Sequence, residues 1–188
     1  MELRRHPNSP PSPVERIEVL ASHVGNGHLS LLYNVTGDIE RLRLPPPGEP
    51  EHADGLWRHT CFEAFVRPPR GDDYFELNLS PSGEWAAYRF DRYRSGMRPA
   101  DVPQPKIVSH HTGSALGLVA SVNLGALHEL APWESWQAAI SAVIEAGDGS
   151  ISHWALAHPP GKPDFHHPEA FVLELPPAGG LGYPQDLP

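Results

Sequence analysis

Cysteine is nearly absent: Cys61 is the only one in 188 residues. No internal disulfide can therefore staple the chain, and stability must come from a packed core. Cationic residues are also scarce, with 14 Lys and Arg against 23 Asp and Glu and a formal net charge of -9. Binding to phosphate needs a clustered basic face, and only isolated basic pairs occur, so neither nucleic acid nor an anionic membrane is an expected partner. No apolar run approaches the roughly 20 residues that cross a bilayer, and the first twenty residues lack the apolar stretch of a secretory signal. The expectation is a soluble, cytoplasmic protein. A phosphate-cradling glycine loop, a nucleophile elbow and a zincin helix are missing too, so no residue is assigned a catalytic role.

Turn formers, by contrast, are plentiful. The 23 prolines and 17 glycines cluster between apolar runs, as in "PPPGEP", "RPPRGDD", "SPSG" and "HPPGKPD", the punctuation of many short strands. "HLSLLYNVTG" places Leu29, Leu31, Tyr33 and Val35 at period two, and "VERIEVLASHV" precedes it across the turn "GNG". "YFELNLSPSGEWAAYRF" alternates through Leu79, turns at "PSG" and returns, which predicts a β-hairpin. Further strands are expected at 106–111, 116–123, 136–144, 152–157 and 170–175. About ten strands without a long amphipathic helix predict an all-β antiparallel β-sandwich. The domain is expected over 14–175, with flexible segments at 1–13 and 176–188.

The run "LWRHTCFEAFV" concentrates candidate chemistry. Read as a strand from Leu56, it places His59, Cys61, Glu63 and Phe65 on one face and Phe62, Ala64 and Val66 on the other. The second set is expected in the core, with His59 and Glu63 left accessible. If the hairpin pairs alongside, Glu76, Asn78, Trp85 and Arg89 are expected on the same accessible surface. Flat aromatic faces and planar polar groups together suit a sugar ring and its hydroxyls. Cys61 reads as a buried thiol, because a histidine two residues away on a strand is about 7 Å distant. His158, Asp164, His166 and His167 fall within one proline-flanked loop, but their spacing matches no zinc pattern, and no metal site is assigned. Trp133 and Trp136 are expected as packing anchors and Trp154 as core, which leaves Trp57 and Trp85 as stacking platforms.

"LWRHTCFEAFV", "YFELNLSPSGEWAAYRFDRYRSGM" and "HWALAHPPGKPDFHHPEAFVLEL" together resemble the bacterial DOMON-like proteins related to family 9 carbohydrate-binding modules. The resemblance spans roughly 14–175 and implies a β-sandwich with a ligand groove on one sheet. It implies a small-molecule-binding module, and together with the strand alternation the expected function is a non-catalytic module for a carbohydrate or related polar small molecule. The kinds of residue that match the sugar-binding relatives are Trp57 and Trp85 with Glu63, Asn78 and Arg89, and Arg58, His59, Glu76 and His166 are further expected contacts in the groove. Haem-binding relatives make a second reading, with His59, His166 or Met97 as axial ligands, although no cofactor is assigned. A glycoside-acting enzyme using acidic residues such as Glu63 and Glu76, or an interaction module without a ligand, are the remaining alternatives. No protein partner can be named from the sequence.

Overall fold

Apolar side chains at every second position drive one face of each strand into a shared interior. In the computed structural model, which describes residues 1–177, twelve strands form among those residues. They are β1 (Glu2–Arg5), β2 (Val14–Val24), β3 (His28–Gly37), β4 (Cys61–Arg67), β5 (Tyr74–Leu79) and β6 (Trp85–Phe90), followed by β7 (Arg98–Pro99), β8 (Lys106–His111), β9 (Ala115–Asn123), β10 (Trp136–Glu145), β11 (Ile151–Ala155) and β12 (Leu173–Leu175). All strand pairs in the ladders are antiparallel.

The strands run in the order β7-β6-β5-β4-β10-β11-β1-β2-β3-β9-β8, with β12 also paired to β10. The sheet curls so that its two halves pack as a β-sandwich. One half holds β2, β3, β9 and β8, the other β4, β5, β6, β10 and β11, and β1 stands at the joint. Leu3 of β1 pairs with Ile17 of β2, whereas Arg4 pairs with Ala155 of β11. The interior combines Leu29, Leu31 and Tyr33 of β3 with Phe62, Ala64 and Val66 of β4 and Phe75, Leu77 and Leu79 of β5. Tyr33 reaches across this interior and donates its hydroxyl to the Glu63 carbonyl at 2.9 Å, with its ring 4.7 Å from that of Phe62. Between β2 and β3 the turn carries Asn26 and Gly27 at positive φ. A Cβ on Gly27 would lie 2.5 Å from Gly125 Cα, so the close approach of the two chains requires glycine there.

Several expectations change. The 1–13 segment is not wholly loose, because Leu3 and His6 are buried and Glu2–Arg5 is a strand. Its pattern is too short and polar to show alternation, and only partners distant in sequence define it. The 170–175 strand shrinks to Leu173–Leu175 behind a 3-10 turn at Pro168–Ala170. Trp133 is 77% exposed, so it anchors nothing, whereas Trp136 is fully buried and stacks on His23 with ring centroids 3.6 Å apart. Most of the 176–188 tail, from residue 178 on, lies outside the described residues.

Candidate functional site

The half-sheet containing β4 is covered on both faces, and this positions the site. Its outer face carries Cys61, Glu63 and Phe65 from β4, Tyr74, Glu76 and Asn78 from β5, and Ala86, Tyr88 and Phe90 from β6, in register through the pairs Glu63↔Asn78, Phe65↔Glu76 and Glu76↔Tyr88. A second apolar cluster covers much of this face, with Phe165, Ala170 and Phe171 from the long loop after β11 packed on Phe65, Tyr74 and Phe90. Where the cover stops, a cavity of about 370 Å³ opens. That volume falls in the range of small-molecule sites.

Two carboxylates form its floor. Glu63 is 2% exposed and Glu76 is 6% exposed. Glu63 accepts a 3.3 Å bond from the Ser141 hydroxyl, and Glu76 accepts a 2.8 Å bond from the Asn78 amide. Burial, and then the neighbouring Glu76 charge, push the Glu63 carboxyl well above the usual carboxylate range, and burial also raises Glu76. Loss of hydration disfavours the charged form, and a like charge nearby adds to that.

The walls are aromatic and cationic. Trp57 sits at the rim, 37% exposed, with its ring edge-on to Tyr88 at 5.9 Å. Tyr88 is itself fixed by donating its hydroxyl to Asp54 at 2.5 Å. Phe65, Phe90 and Phe165 line the interior beside Met97, His153 and Arg94. The loop bearing Arg94 is clasped to the loop bearing His166: the Arg94 guanidinium donates to Asp164 at 2.8 Å, its backbone N–H donates to the Tyr74 hydroxyl at 3.1 Å, and Tyr74 meets His166 Nδ1 at 2.8 Å. With Tyr74 donating to Nδ1, the neutral imidazole carries its proton on Nε2, which faces Glu76 Oε2 at 3.7 Å. Burial and the Arg94 charge lower the His166 pKa to about 4, so the ring is neutral at pH 7.

The residues expected from the sequence divide into groups. Trp57, Glu63, Glu76 and His166 meet at the cavity, and Asn78 lies fully buried behind Glu76. Glu63 is not accessible as expected, because the outer face is covered rather than open to solvent. Trp57 and Arg58 lie on a 3-10 turn, Leu56–Arg58, and β4 begins only at Cys61. Arg58 is exposed and is absent from the cavity lining. His59 points to another site, where its Nδ1 lies 2.8 Å from Glu145 beside an Arg43–Glu145 ion pair.

Trp85 and Arg89 do not share the surface of Glu63. Their cross-strand partners are Leu79 and Phe75, both core residues, so Trp85 packs against the interior and Arg89 pairs with Glu129 at its margin. Both faces of the returning strand carry aromatics, so composition could not tell which face turns inward. Cys61 is buried, and burial followed by the Glu63 charge raises its thiol pKa well above the ordinary value, which makes it a poor nucleophile.

Sequence reasoning missed Arg94, Phe90, His153 and Phe165. Phe90 was in phase with Tyr88 and was available from the alternation, whereas the two loops meet only in three dimensions. Of the histidine-rich loop, His158 donates its Nε2–H to the Arg4 carbonyl at 2.7 Å, Asp164 holds Arg94, and His167 accepts from the Glu169 N–H at 3.2 Å. These side chains fix the loop in place. Among the described residues, no three His, Cys, Asp or Glu side chains converge to hold a metal ion.

No protein-family model and no curated protein matches the chain. Among solved structures, it is similar to a proposed carbohydrate-binding protein from Bacteroides uniformis ATCC 8492, with a TM-score of 0.61 and 17% sequence identity, covering 83% of this chain and 76% of that one. A family 9 carbohydrate-binding module from Caldicellulosiruptor kristjanssonii, in complex with glucose, gives a TM-score of 0.46 and 10% identity over 81% of this chain and 72% of that one. The first of these likenesses establishes a shared antiparallel β-sandwich fold.

Proposed function

We propose that this protein is a non-catalytic binding module of the DOMON and family 9 type, whose ligand is a carbohydrate or a related polar small molecule seated in the cavity over β4 and β5. The observation that carries this reading is the half-exposed Trp57 ring standing at the rim of a pocket floored by Glu63 and Glu76. An indole offers a flat apolar face to the C–H side of a sugar ring, and carboxylates accept hydrogen bonds from its hydroxyls. The fold shared with a proposed carbohydrate-binding protein supports the same reading.

Trp57 lies outside the core cluster, so its removal tests binding separately from folding. Trp57→Ala is expected to leave the unfolding free energy within about 0.5 kcal/mol of the parent. Glucose binding measured by calorimetry should weaken about tenfold, the size of a lost aromatic contact of roughly 1.5 kcal/mol. Unchanged affinity with an intact fold would refute the platform.

Met97 and His166 both line the cavity, which brings the haem reading to the same place. The residues do not fit it. His166 Nδ1 is engaged by Tyr74, and an iron held at Nε2 would meet the Glu76 carboxylate, 3.7 Å away, instead of a porphyrin face. A Soret band on haem titration that disappears in His166→Ala would reverse this conclusion.

A further inference from the structure

The cavity gathers more acidic groups than a neutral sugar requires. Glu63 and Glu76 face it from adjacent strands, both buried. Among the described residues, the Ser141 hydroxyl supplies the one hydrogen bond to the Glu63 carboxylate. The nearby cationic groups offset these carboxyls only in part, Arg94 acting on Glu76 through its charge without a direct bond. Arg94 is committed to Asp164 at 2.8 Å. His166 is neutral at pH 7, and His153 is held below the usual histidine range by burial and by His6 and His158. Buried carboxylates without a partner charge are costly to keep, and such under-compensated groups in a cleft mark binding sites.

The walls supply the other half of the recognition. Trp57, Phe65 and Phe90 line the same space, and the faces of aromatic rings attract a cation. A neutral hydroxyl gains little from a second carboxylate, whereas an ammonium gains from both carboxylates and from the rings. We infer that the ligand is a sugar carrying a protonated amino group, whose ammonium sits between the Glu63 and Glu76 carboxylates and against the aromatic wall. This rests on the carbohydrate reading above and narrows it to an amino sugar.

Calorimetry on the full chain at pH 7, with glucosamine, glucose and N-acetylglucosamine as probes, tests it. Glucosamine should bind at least about tenfold tighter than the other two, since a hydrogen bond to a charged group contributes about 1.5 kcal/mol or more. Glu76→Gln keeps the side-chain shape and the acceptor for Asn78, and in it the preference for glucosamine over glucose should collapse to about twofold or less. Glu63→Gln, measured in parallel, should do the same and guards against a folding defect in either variant. Equal or tighter binding of glucose overturns the amino-sugar inference and leaves the carbohydrate reading standing. A preference that survives in both glutamine variants also overturns it. Absence of binding by all three sugars overturns both readings.

Discussion

Replacing Glu63 by glutamine should make the protein more stable, the reverse of the usual effect of altering a fully buried residue. Glu63 pairs with Asn78 and Phe65 with Glu76, so the two glutamates are diagonal neighbours on adjacent strands, about 7 Å apart. At an effective dielectric of about 20, two like charges at that distance repel by about 2 kcal/mol. Glutamine removes one charge and keeps both the shape and an acceptor for the Ser141 hydroxyl. At pH 8, Glu63→Gln is therefore expected to gain about 2 kcal/mol, or about 4–8 °C in melting temperature for a chain of this length.

The dependence on pH gives the sharper test. Both carboxyls are raised in the folded state, so the folded protein retains protons that the unfolded chain has released. Their contribution to stability is fully present below the unfolded carboxylate range near pH 4 and is lost as pH rises through the folded-state values. Other groups slope the opposite way: Asp164, for example, is lowered by its bonds from Tyr93 and Arg94, which outweigh its burial. Subtracting the parent from the variant removes those contributions. Urea unfolding followed by tryptophan fluorescence at pH 5 and pH 8 should show the variant's advantage shrinking towards the lower pH. A variant no more stable than the parent at pH 8, or an equal gain at both pH values, would refute the repulsion.

Two further outcomes follow from the packing. Phe62 is fully buried against Tyr33, and Phe62→Ala should cost about 3–5 kcal/mol in chemical denaturation, because the core cannot collapse into the space left. Cys61 is buried and its thiol pKa is raised, so a thiol reagent should leave the native protein unlabelled at pH 7.5 and react once denaturant opens the fold; rapid native labelling would contradict that burial.

Alternation made much of the sandwich legible. Leu29, Leu31, Tyr33 and Val35 are buried as their spacing predicts, the hairpin at "PSG" forms, and the strand expected at 106–111 has those bounds. The site was legible only in part, for a physical reason. Period-two alternation separates two faces but names the inner one only when the other is wet, and the Glu63 half-sheet is dry on both. Trp85 and Tyr88 are therefore equivalent in the sequence, and only the register against Leu79 and Glu76 distinguishes them. The clasp of Arg94 on Asp164 joins two loops far apart in sequence, and no local pattern encodes such a contact.

The strand at the joint also has a kinetic consequence. Glu2 and Leu3 find their partners within the first eighteen residues, but Arg4 and Arg5 must wait for Ala155 and Trp154. During synthesis β1 emerges before the other strands of the domain, so one of its edges stays unpaired until β11 follows. Closure of the sandwich is then governed by long-range pairing, which places its folding among the slower topologies, on the order of milliseconds to seconds.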